Sequence, residues 1–160
     1  LKKYFEKADH IDFKIFEGRT TLRKFIAATL SYYPWWILLL YKIRKLPVNL
    51  LGLEKHSAPE KLPCLKPHDI SIVPGETITF FIVRKAREEV YWVSETPEDK
   101  HLTAYFSVVA EPLDGDVMRF YLITSVYYKH WTGSFYFNLI RPFHHLVVRQ
   151  MGRAGIRNAQ

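Results

Sequence analysis

The sequence predicts an α+β fold in which a curved antiparallel sheet wraps around a long, kinked C-terminal helix. Three observations carry that expectation. Four runs rich in β-branched and aromatic residues follow one another closely between residues 77 and 128. A helical period then begins at Gly133 and holds as far as Met151. Between the first strand-like segment and those four runs lie two shorter helical segments. A sheet with one apolar face has to cover it, and the last helix carries a stripe of matching length.

The elements follow in order. Residues 9–16 alternate polar and apolar, with Ile11, Phe13 and Ile15 on one side, which is the pattern of a strand. Gly18 ends it. Thr20 or Thr21 can cap a helix beginning at Leu22, where Leu22, Phe25, Ile26, Thr29 and Leu30 share one face. Pro34 interrupts that helix, and a second one runs from about Trp35 to Lys45, closed by Pro47. Residues 52–75 hold Gly52, Pro59, Pro63, Pro67, Pro74 and Gly75, so they read as a loop wrapping the domain.

The predicted meander comprises Thr77–Arg84, Glu89–Glu95, His101–Ala110 and Val117–Tyr128. Its turns fall at Lys85–Glu88, Thr96–Lys100 and Pro112–Asp116, the last marked by Asp114-Gly115. A final helix from about Ser134 to Arg153 would be roughly 30 Å long at about 1.5 Å per residue. Tyr136, Ile140, Phe143, Val147 and Met151 form its stripe, widened by Leu139 and Leu146. Pro142 lies inside and predicts a kink near Asn138–Arg141.

Composition narrows the function classes. A chain of 160 residues fits one domain spanning 1–160, and 48% hydrophobic with 24% charged residues is the balance of a folded globule. Aromatic residues are abundant at 16%, as suits a bulky core or the lining of an apolar cavity. The net charge of +7 favours an anionic neighbour. Its cations are scattered, the densest groups being Lys2-Lys3, Lys42/Arg44/Lys45 and Arg149/Arg153/Arg157. The single cysteine, Cys64, allows no intrachain disulfide and fits a cytoplasmic setting. No signal-peptide pattern is visible. The most apolar run, Tyr32 to Tyr41, is too short to span a bilayer but could rest on one.

Several motifs resemble one family. Ala8-Asp9-His10-Ile11-Asp12 opens the first strand, Leu51-Gly52-Leu53 closes the helical region, and Asp99-Lys100-His101-Leu102 opens a later strand. Gly133, Tyr136, Ile140, Pro142, Phe143 and His144 follow a G-x-x-Y-x-x-x-I-x-P-F-H pattern. Together they resemble the START-like (SRPBCC, helix-grip) superfamily, and more closely a domain-of-unknown-function branch of it. Members of that branch occur alone or behind a Rossmann-type NAD(P)-binding domain. The resemblance implies a helix-grip fold; superfamily members bind lipids, sterols or polyketides, and some catalyse cyclisation or hydrolysis. This sequence contains no G-x-G-x-x-G, so no NAD or other cofactor is expected.

The chemistry-bearing candidates are few. His101, His144 and Asp99 could form an acid/base unit if the last helix crosses the strand that begins at His101. The same residues could equally supply structural hydrogen bonds. Adjacent His144 and His145 diverge on a helix, and no H-x-x-x-H or C-x-x-C occurs, so no metal is expected. Ser125 and Ser134 lack a G-x-S-x-G setting. No nucleic-acid recognition motif appears.

Three functional readings remain open. In the leading one, a hydrophobic small molecule, lipid-like or aromatic, sits between sheet and helix without being transformed. Alternation puts Leu102, Ala104 and Phe106 on one face of their strand and Leu122 and Thr124 on one face of the next. With Tyr136, Ile140 and Phe143 opposite, they would line an apolar cavity carrying two polar points, and the Trp35–Leu40 segment would form a further wall. The second reading is acid/base catalysis on a bound ligand by His101, Asp99 or His144. In the third, Trp35-Trp36 docks on a membrane or a partner, with Lys42 and Arg44 at the rim.

Overall fold

The computed structural model describes residues 4–40, 64–97 and 100–159. Six strands form one antiparallel sheet in the order β1-β6-β5-β4-β3-β2, comprising β1 (His10–Gly18), β2 (Thr77–Ile78), β3 (Phe81–Arg87), β4 (Tyr91–Glu95), β5 (Leu102–Pro112) and β6 (Met118–Tyr128). Helix α1 (Leu22–Leu30) follows β1, and a second helix, α2, covers residues 35–40, the last described in that stretch. The long helix α3 (Trp131–Arg157) closes the chain against the sheet. The architecture is that of a helix-grip fold. The expected continuation of α2 to Lys45, the basic group around Lys42, the Leu51-Gly52-Leu53 motif, Lys2-Lys3 and Asp99 lie outside the described residues.

Local chemistry accounts for most boundaries. Thr21 caps α1, its side chain accepting a hydrogen bond from the Lys24 amide. Helix α1 ends at Leu30 with Ser31 as its C-cap, before Pro34 is reached; the Pro34 carbonyl accepts from the Ile37 and Leu38 amides and so starts α2. Gly115, at φ 68°, sits in the loop of the β5–β6 hairpin, which Asp114-Gly115 had signalled.

The core lies between the inner face of the sheet, α1 and the C-terminal half of α3. Phe25 stacks on Phe120 with centroids 4.3 Å apart, and Trp92, Val108 and Leu122 are fully buried around them. Gly133, near the start of α3, touches β5 so closely that a Cβ would collide with the His101 carbonyl.

Four sequence expectations need correction. The single strand expected over Thr77–Arg84 is a small hairpin, because Thr79 takes a positive φ of 59° and folds β2 back on β3. The turn expected at Lys85–Glu88 comes later, with Glu89 at φ 51°. Helix α3 extends beyond both expected ends and continues past Pro142. Its inward row is Tyr136, Ile140, His144, Val147 and Met151. Phe143 stands one position, about 100°, round the helix from His144 and faces outward, as do Leu139 and Leu146.

Strand β1 is turned opposite to the usual sense. Ile11, Phe13 and Ile15 are on the outer face, Phe13 being 60% exposed, whereas Asp12 is only 7% exposed and faces α3. The apolar side of the alternation is therefore not the core side.

Candidate functional site

A cavity of about 210 Å³ lies between the sheet, α3 and the segment that leads into α2. The sheet contributes Leu102, Ala104 and Phe106 from β5 and Thr124 and Val126 from β6. These residues share the inner face because Ala104 pairs with Val126 and Phe106 with Thr124 across the hairpin. Helix α3 supplies Tyr136, Ile140, His144, Val147 and Met151. Tyr32, Tyr33 and Ile37 form a third wall, and Phe80 and Phe81 from the β2–β3 hairpin a fourth.

Of the residues expected to bind a ligand, Leu102, Ala104, Phe106, Thr124, Tyr136 and Ile140 surround this space. Leu122 does not; it is fully buried in the core near Phe120. Phe143 does not either, because it faces away from the sheet.

Two polar atoms stand out in this apolar lining. Thr124 Oγ1 and His144 Nδ1 are both buried, and neither has a hydrogen-bond partner. Burial pushes the His144 imidazolium down to about 4; the attraction of Asp12 opposes this, and the nearby His145 and His10 add to it. At neutral pH His144 is thus an uncharged ring, with one nitrogen to donate and one to accept.

His101 has a different task. Its Nδ1 lies 2.6 Å from Thr132 Oγ1, and its carbonyl accepts from the Lys129 and His130 amides at the entrance to α3. It does not line the cavity.

The family described as "Protein of unknown function (DUF2867)" matches residues 4–151 of this sequence. The chain belongs to that family. No curated protein matches it. Among solved structures, hypothetical protein jhp0584 from Helicobacter pylori is similar over 100% of this chain and 94% of its own, with a TM-score of 0.50 and 13% identity. Ara h 8.0201 overlaps 92% of this chain and 98% of its own at a TM-score of 0.44 and 8% identity. TTHA0849 from Thermus thermophilus overlaps 94% and 100% at 0.39 and 9%. At such identities the first likeness concerns the fold alone.

Beside the cavity, this DUF2867 chain carries a charged cluster that the sequence reading did not assemble. Asp12 Oδ1 accepts from Lys14 Nζ, and Asp12 Oδ2 lies 2.9 Å from His145 Nδ1. Burial works to raise the Asp12 carboxyl, but hydrogen bonds from Lys14 and His145 outweigh it and hold the group below its ordinary value. The rings of His10 and His145 are 5.4 Å apart, and those of His144 and His145 6.3 Å. Burial, His145 and Arg141 all lower the pKa of His10. The signal was in the alternation itself. If Ile11, Phe13 and Ile15 share one face, His10, Asp12 and Lys14 share the other, and an α3 that carries His144-His145 is the natural neighbour. Among the described residues no three histidine, cysteine or acidic side chains are placed to hold a metal ion.

Proposed function

We propose that this DUF2867 chain is a START-like helix-grip domain that binds a small hydrophobic molecule bearing one uncharged hydrogen-bonding group. The observation that carries this reading is the pair of unpartnered buried atoms, Thr124 Oγ1 and His144 Nδ1, among residues that line an otherwise apolar cavity. Leaving such groups unpaired costs about 1–3 kcal/mol each, a cost that a hydroxyl or carbonyl on a ligand would relieve. An ammonium or carboxylate would suit the site poorly, because it would lose its hydration beside a neutral imidazole.

Size supports a compact guest. An apolar cavity of about 150 Å³ accepts benzene, so the space here suits a single-ring aromatic or a short alkyl chain rather than a sterol. Binding without catalysis is favoured, since a base with a pKa of about 4 abstracts protons weakly at neutrality. His144 nevertheless lines the cavity, which keeps acid/base chemistry as the second reading.

Native mass spectrometry of the purified protein, followed by organic extraction, tests the proposal. A stoichiometric neutral compound with a mainly apolar skeleton is the expected result. A charged, highly polar guest would sink it, as would failure of every neutral aromatic or alkyl alcohol of suitable size to raise the melting temperature.

A further inference from the structure

The outward side of α3 carries a row of large apolar side chains. Trp131, Phe135, Leu139, Phe143 and Leu146 follow at intervals of four, four, four and three residues, so they align along the flank turned away from the sheet. Trp131 is 68% exposed, and each of the other four about half or more. Beyond Leu146 the same flank continues as Arg149, Arg153 and Arg157, all exposed. The 27 residues of α3 include no aspartate or glutamate, and Arg141 adds a further cation. Helix α2, which meets α3 across the cavity, adds exposed Trp35 and Leu39.

A lone exposed leucine needs no explanation, but five large apolar side chains in one row do. We infer that this face lies on an anionic lipid surface. Its aromatic half would sink into the boundary between headgroups and acyl chains, while the arginines would meet lipid phosphates. Trp, Phe and Leu beside arginines is the composition of helices that rest in such interfaces, and the chain's +7 charge acts in the same direction. Parallel pairing of two copies through the same face is disfavoured, since it would oppose two sets of arginines with no carboxylate on either helix. The inference is independent of the cavity, because the row does not line it.

Flotation of the full chain with phosphatidylcholine vesicles, with and without phosphatidylglycerol, is the test. Association with the anionic vesicles, weakened by salt and accompanied by a blue shift of tryptophan emission, is expected. Leu139→Gln with Phe143→Gln should reduce partitioning by more than about tenfold. Arg149→Gln with Arg153→Gln should reduce it by about thirtyfold on anionic vesicles only. Circular dichroism and melting of the variants confirm that they fold, as exposed positions allow. The inference is overturned if folded protein ignores anionic vesicles, or if the variants bind them as well as the parent. A dimer in sedimentation velocity that the Leu139/Phe143 variant dissolves would instead assign the row to self-association.

Discussion

At the scale of single residues, Thr124 and His144 separate binding from stability. Thr124→Val removes a buried hydroxyl that has no partner, so the ligand-free protein should gain about 1 kcal/mol in urea unfolding. The same change should weaken ligand binding by about tenfold. A loss of stability would mean that the hydroxyl already has a partner. His144 also sets a pH dependence. Its folded value of about 4 lies below the ordinary 6.5, so the unfolded chain takes up a proton first as pH falls. Stability should decline from about pH 6.5 towards pH 4, by on the order of 3 kcal/mol in all. His10, also lowered, adds in the same direction. Asp12 acts the opposite way round: its contribution is intact above the ordinary carboxylate value of 3.8 and is lost only as pH falls below it. Urea midpoints at pH 7 and pH 5 should therefore differ in the parent and differ less in His144→Phe, where His10 alone keeps part of the dependence. Much of this site was legible in the sequence, because strict alternation in β5 and β6 placed Ala104, Phe106 and Thr124 on one face. His144 was legible as a candidate for chemistry but not as part of the lining. A helical stripe several residues wide does not reveal its centre line, and there Phe143 looked the better wall.

At the scale of elements, two backbone features make predictions. Thr79 is β-branched and holds φ at 59°, a region that costs such residues on the order of 1–2 kcal/mol. Thr79→Gly should raise stability by about 1 kcal/mol, measured by thermal or urea unfolding. Gly133→Ala should lower it by about 1–3 kcal/mol, since the added methyl would force α3 away from the His101 carbonyl. The β5–β6 hairpin and the start of α1 could be read from turn and cap residues, which act locally. The β2–β3 hairpin could not. Nothing in Thr77–Arg84 resembles a turn, and a threonine at positive φ is imposed by pairing such as Val83 with Glu76 and Gly75. Strand β1 shows the complementary problem. Its alternation was plain, but which side faced inward depended on α3, more than a hundred residues later in the chain.

For the whole molecule, a ligand that binds only the folded state stabilises it by mass action. At a concentration of about a hundred times its dissociation constant, the guest should add about 2.7 kcal/mol. No helix among the described residues is long and apolar enough to cross a membrane. The sheet's two margins also bear on how the molecules behave in a crowd. One margin, β2, is two residues long, which leaves little to extend. The other, β1, is nine residues long and carries three apolar side chains on its outer face, a tempting template for another chain. Asp12 and Lys14 are charged side chains on its inner side, and inward-pointing charges on an edge strand disfavour the addition of another strand. The inverted strand thus acts as a guard against fibrous growth, and Lys14→Val should shorten the lag before light scattering rises in warm, concentrated solution.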